Sequence, residues 1–117
     1  MNILIYGAGA IGSHIAYCMH SAGHTVYVLA RGKHFSRMKK KGLHIKIFDN
    51  QMLKDEKVII ESPRFCILSS LDQIETKIFD YIFITVKLSS YMPETIKGLQ
   101  PYMGEDTAVI PPCTKLP

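Results

Sequence analysis

A chain of 117 residues with 47% hydrophobic and 21% charged residues has room for one domain with a proper core, spanning 1–117, and not for two. Its three cysteines, Cys18, Cys66 and Cys113, are odd in number, far apart and form no Cys-x-x-Cys, which argues against a disulfide framework or a zinc site and fits a reducing cytoplasm. The formal charge is +4, and since no apolar run reaches membrane-span length no membrane partner is expected. The first element, "NILIYG" at 2–7, is a continuous apolar run ending at glycine, as in a buried parallel strand. It follows no basic segment and turns glycine-rich at once, unlike a signal peptide. Residues 10–23 place Ile11, Ile15, Cys18, Met19 and Ala22 at helical spacing, with Gly23 as the stop, so Cys18 is expected on the packed side. Residues 24–30, "HTVYVLA", read as a second strand. Strand, glycine turn, helix and strand make a βαβ unit.

Residues 33–42 suggest a basic second helix. Arg31, Lys33, Arg37, Lys39, Lys40, Lys41 and Lys46 are half of the 14 Lys and Arg, with no acid among them. A solvated helix face is the ordinary outcome. The absence of aromatic–basic interleaving argues against a nucleic-acid partner. "LHIKIF" at 43–48 alternates as a half-buried strand, "DNQM" is a turn, and 57–62 is another strand, together an antiparallel hairpin or a pair of short strands. Residues 69–74 open with cap residues of a short helix. Residues 79–87, "FDYIFITVK", are the clearest later strand. Residues 89–103 read as a helix limited by Pro101, and 107–112 as a last short strand. Strands alternating with helices give an α/β fold: a doubly wound, mostly parallel sheet with helices on both faces, of the Rossmann type.

"GAGAIG" at 7–12 matches Gly-x-Gly-x-x-Gly between a strand and a helix, the context that gives the pattern weight. Gly7 permits the tight turn, Gly9 lets a pyrophosphate approach the backbone, and Gly12 allows close packing of helix on strand. The amides of 7–12, those of Ala8, Ala10 and Ile11 included, lie at the positive end of a helix dipole. Arg31 stands at the tip of the second strand, where Asp or Glu would accept from the ribose 2′-OH of NAD. A guanidinium grips a 2′-phosphate and a carboxylate repels it, so NADP is the expected cofactor. Lys33 or His34 could add to that pocket. Lys87, ending the 79–87 strand, faces either the cofactor or solvent.

With these motifs in place, the chain resembles the N-terminal domain of the ketopantoate reductase (2-dehydropantoate 2-reductase) family along nearly its whole length. The Arg-Gly after the second strand and the Thr-Val-Lys block at 85–87 carry the resemblance more specifically than the glycine turn. It implies an NADPH-dependent oxidoreductase that reduces 2-dehydropantoate to pantoate, towards pantothenate and coenzyme A. It also implies pyrophosphate contacts at Gly7, Gly9 and Gly12, a 2′-phosphate ligand at Arg31, and cofactor contacts at Lys87 and Ser90. The chain departs from the family where "VIPPCTKLP" offers Cys113 or Thr114 in place of an Asn-Gly turn. The family's helical C-terminal domain, with its catalytic lysine and substrate-binding acid, has no counterpart here. Cofactor binding without turnover is therefore the expectation, with no catalytic residue assigned and the keto acid bound only with that second domain. An uncovered carboxyl-end face and last strand predict self-association as a homo-oligomer.

Other side chains point to packing. His20 and His24 are separated by a helix stop and are poor metal ligands. Ser13 and Ser21 have no base in reach, and Tyr81, Tyr91 and Tyr102 read as core. The competing classes are another NADP-dependent dehydrogenase, a non-enzymatic nucleotide-sensing module, against which Arg31 counts, and a nucleic-acid binder using the basic run.

Overall fold

The structure is a computed structural model and describes residues 1–74, 78–86 and 93–111. In chain order the elements are β1 (Asn2–Tyr6), α1 (Ala10–Ser21), β2 (Thr25–Leu29), α2 (Gly32–Lys41), β3 (Leu43–Asp49), β4 (Met52–Ile59), β5 (Phe65–Leu68), β6 (Phe79–Ile84), α3 (Pro93–Leu99) and β7 (Met103–Ile110). Five strands form one parallel sheet in the order β5-β2-β1-β6-β7, and β3 and β4 form a separate antiparallel pair. The apolar runs of β1 and β2 follow from this placement. Each strand is flanked on both edges and covered on both faces, so consecutive residues Ile3–Ile5 and Val26–Leu29 are buried on opposite sides.

Ile3, Ile5, Val26, Val28, Phe65 and Ile67 meet Ala16 of α1, Met38 of α2 and the inner residues of the hairpin. On the opposite face Leu4, Tyr27, Leu29, Ile82 and Phe79 meet Leu99 of α3, with Leu71, Ile96 and Tyr102 around them. Helices thus lie on both faces, as the alternation of elements requires. Strand order reverses between β1 and β6, so the crevice beyond their carboxyl ends is the topological place for a ligand.

Several expectations are met by local chemistry. Asn50 and Gln51 form the two-residue loop between β3 and β4, at φ 50° and 66°, the handedness that matches strand twist in a hairpin. Leu43 and Ile45 are buried while His44 and Lys46 are exposed, giving the half-buried strand. Ser70 caps a single 3₁₀ turn over Leu71–Gln73, and Gln73 Oε1 accepts from Ser69 N at 2.7 Å and Ser70 N at 3.4 Å in return. Tyr102 donates to Leu71 O at 2.9 Å and tilts against Phe79, so it is a packing residue. Tyr81 stacks on Phe83. Tyr91, Cys113 and Thr114 lie outside the described residues.

Other expectations are corrected. The strand placed at 57–62 instead starts at Met52 and ends at Ile59. Its solvent-facing "LKDEK" hides the strand character, which comes from pairing with β3. β5 is an additional strand, a four-residue run held in register by β2. β6 ends at Ile84, α3 covers Pro93–Leu99 of the 89–103 stretch, and β7 begins at Met103, four residues earlier than expected. Helix α1 is rotated relative to the apolar pattern. Its buried residues are Gly12, Ser13 and Ala16, Ile11 is 65% exposed, and Cys18 is exposed rather than core. The cause is close packing at Gly12, described next.

Candidate functional site

The glycine turn sits at the carboxyl end of β1, laced from both neighbours. Gly7 N donates to Leu29 O at 3.2 Å across to β2. From the β6 side, Thr85 Oγ1 donates to Gly7 O at 2.8 Å, and Thr85 N to Tyr6 O at 3.0 Å. Gly7 has φ +122°, a conformation L side chains rarely adopt. A Cβ at Gly12 would lie 2.1 Å from Gly7 O and 2.6 Å from Thr85 Oγ1. That contact sets the rotation of α1 and brings Ser13 inward, where its Oγ donates to Ala8 O at 3.1 Å. Gly9 differs: a Cβ there would meet nothing within 4 Å, so the space above this residue is open.

Gly9 is the N-cap of α1 and supplies no side-chain cap, and the first turn holds no acid. Ser13 N donates to Gly9 O at 2.8 Å, so the amides of Ala10, Ile11 and Gly12 precede the first intrahelical donor. Uncapped donors at the positive end of a helix, beside open space, suit an anion.

Gly7, Ala8, Gly9, Arg31, His34 and Thr85 share a cleft of about 340 Å³, closed at one side by Tyr6, Leu29 and Val86. No carboxylate lines it among the described residues. Arg31 is exposed, occupies the N-cap position of α2 without a side-chain cap bond and forms no ion pair among the described residues. It also lines a second cleft of about 410 Å³ with Ser70, Asp72, Gly98 and Tyr102. Ala10 is exposed and lines a third, of about 380 Å³, that adjoins the first through Ala8, Gly9 and His34. The fold therefore gathers the glycine turn and Arg31, 24 positions apart in sequence, around one opening. Lys33 lines none of these three clefts, whereas His34 lines two. Lys87 and Ser90 lie outside the described residues. Thr85 is the residue that sequence reasoning passed over. Its signal was a hydroxyl at the end of the apolar strand, beside the lysine that drew attention instead.

Burial pushes Glu61 up, but hydrogen bonds from Lys39 Nζ at 2.7 and 2.9 Å and from Ile67 N at 2.9 Å outweigh it and hold the group below its usual range. Through these bonds Glu61 ties α2 to β5. His20 packs edge-on against Phe65 at 5.4 Å, and His24 Nδ1 lies 3.3 Å from the terminal amine, so the two imidazoles have separate structural surroundings. No helix among the described residues is long and apolar enough to cross a membrane.

Comparison with known proteins gives a consistent result. A family model described as ketopantoate reductase PanE/ApbA matches residues 3–112. A 2-dehydropantoate 2-reductase of Mesorhizobium japonicum is 28% identical over 111 residues, covering 94% of this chain and 30% of that protein. An Enterococcus faecalis structure described as a 2-dehydropantoate 2-reductase aligns over 100% of this chain and 35% of its own, with TM-score 0.73 and 27% identity. A D-mandelate dehydrogenase solved with NADH and anilino(oxo)acetate shares the fold at TM-score 0.70 and 24% identity, over 95% of this chain and 33% of its own. The chain thus spans about a third of the length of the relatives it matches.

Proposed function

This chain belongs to the ketopantoate reductase family, and on that premise we propose that it holds NADPH for the reduction of 2-dehydropantoate to pantoate. The observation that carries this reading is the shared lining of one cleft by the glycine turn and Arg31, with no carboxylate among its described lining residues. The free amides at the start of α1 fit a pyrophosphate, which needs donors and no competing side-chain cap. Arg31 fits a 2′-phosphate through paired, charge-assisted bonds, whereas an acid in its place would favour a free 2′-hydroxyl. When bound, NADPH supplies the hydride; the residues of this chain bind and orient the carrier. Lys87 and Ser90 join the cofactor contacts on the strength of the family resemblance. The keto acid, and the donor its developing alkoxide requires, belong in this reading to parts of the enzyme beyond the matched third.

The direct test is competition between adenosine fragments. 2′,5′-ADP should bind the purified chain at least about tenfold more tightly than 5′-ADP, because only the former offers a phosphate to the guanidinium. Equal binding would remove Arg31 from the role. The same chain, supplied with NADPH and 2-dehydropantoate, should show no turnover. Sustained oxidation of NADPH would show that these residues hold catalytic groups as well.

A second reading is favoured by the D-mandelate dehydrogenase, whose structure contains NADH on the same fold. Under it the chain serves a dehydrogenase with a different substrate and no preference for the 2′-phosphate. The fragment competition separates the two readings on the cofactor.

A further inference from the structure

The cations of α2 are not all accounted for by the cofactor cleft or by surface pairing. Lys39 is bound to Glu61 at 2.7 Å. Lys33, Arg37 and Lys41 recur every four residues on one stripe, and none has an ion-pair partner among the described residues. Like charges at this spacing destabilise a helix, so the stripe is held together against its own repulsion. Two of its members do more than face solvent. Arg37 and Lys41 line a pocket of about 390 Å³ together with His34 and, from β3, His44 and Lys46. One carboxylate, Glu56, faces these five groups, and its Oε1 lies 3.9 Å from His44 Nδ1. Buried Met38 and Leu43 back the pocket, so it is a recess between α2 and the hairpin rather than a flat patch.

We propose that this recess is a second anion site, which takes a phosphate or pyrophosphate group of a small phosphorylated molecule. It neighbours the proposed cofactor site without being part of it. It shares His34, His44 and Lys46 with the cleft of about 380 Å³, which in turn reaches Ala8 and Gly9, but Arg31 does not line it. Two elements supply the groups: a guanidinium able to bind two oxygens at once and the Lys41 ammonium from α2, and the Lys46 ammonium with a neighbouring imidazole from β3. A bound anion would relieve the repulsion between Arg37 and Lys41 more fully than Glu56 does, since neither cation forms an ion pair among the described residues. The size and concavity of the pocket favour a small ligand. A nucleic acid would instead read the wider basic surface of α2, Lys33 and Lys40 included.

The site is independent of the cofactor reading and can be tested apart from it. The chain labelled with nitrogen-15 is titrated with inorganic pyrophosphate in moderate salt, following amide resonances. Shifts at Arg37, Lys41, Gly42, His44 and Lys46 are expected. They should saturate, and the affinity should fall at least about tenfold in the double variant Arg37→Ala/Lys41→Ala. The charge-matched variant Lys33→Ala/Lys40→Ala should retain them. Shifts confined to residues 7–12 and 31, or an equal loss in both double variants, would overturn the proposal. The first outcome would leave pyrophosphate at the glycine turn alone, and the second would indicate a diffuse polyanion surface. Loss of NADPH binding in Arg31→Ala with the Arg37 shifts intact would confirm that the two sites are separate.

Discussion

Replacing Gly9 with Ala and Gly12 with Ala should divide binding from folding, although both glycines belong to one motif. At Gly12 the added Cβ would stand 2.1 Å from the Gly7 carbonyl oxygen and 2.6 Å from Thr85 Oγ1. Both atoms are fixed, one in backbone and the other in a hydrogen bond to it, so helix and strand must separate. Overpacking of this kind costs about 1–3 kcal/mol, and the upper end fits a clash with backbone. At Gly9 the Cβ meets nothing within 4 Å, and its φ of −73° and ψ of −168° suit any L residue. Stability there should fall by about 1 kcal/mol or less, the cost of exchanging Gly for the poorer N-cap Ala, and so by less than at Gly12. The open space is where the pyrophosphate is proposed to sit, so the methyl group should displace it. Losing one or more charge-assisted bonds of about 1.5–3 kcal/mol weakens NADPH roughly 10- to 100-fold. Urea unfolding and titration of NADPH fluorescence measure the two quantities on the same samples. A Gly9→Ala protein with unchanged NADPH affinity would refute the assignment of the turn as the pyrophosphate site. A Gly12→Ala protein of unchanged stability would refute the packing account of the rotated helix.

Glu61→Gln should lower stability by about 1 kcal/mol or less at neutral pH, given the half-exposed pair with Lys39. Because the folded-state carboxyl lies below its ordinary value of 4.5, its contribution is present above that pH and is lost as pH falls further. Urea midpoints of wild type and variant should therefore converge in acid, and a constant gap would contradict the linkage. Thr85→Val removes the hydroxyl that binds Gly7 O at 2.8 Å and should cost about 1 kcal/mol, read by thermal unfolding. β7 is the outermost strand of the sheet among the described residues and Ile110 is 37% exposed, so sedimentation should show a concentration-dependent oligomer that Ile110→Lys shifts towards monomer. Wild type that stays monomeric at high concentration would count against it.

The parts of the fold legible in the sequence are those where local and long-range forces agree. β1, the glycine turn and β2 are each identifiable because a strand buried on both faces needs an unbroken apolar run and a strand-to-helix turn needs glycine. β5 was hidden because "FCIL" is only four residues long and its register comes from Val26–Leu29, far away in sequence. β4 was half hidden because seven of its eight residues are exposed and its polar stretch is held by the partner strand and the turn at Asn50–Gln51. The face of α1 misled because hydrophobicity would bury Ile11 and Cys18, whereas the approach of Gly12 to Gly7 turns Gly12, Ser13 and Ala16 inward. The candidate site was legible in its motif residues, since Gly7, Gly9 and Arg31 share a cleft. It was not legible in its support, since neither the bridge from Thr85 nor the inward turn of Ser13 leaves a periodic signature.

The central claim is that Arg31 makes this a site for NADPH. The most direct measurement is calorimetric titration of the purified chain with NADPH and with NADH, repeated with Arg31→Ala. NADPH should bind at least about tenfold more tightly than NADH, and the difference should vanish in the variant. Equal affinities in wild type, or a preference that survives the loss of the guanidinium, would contradict the claim.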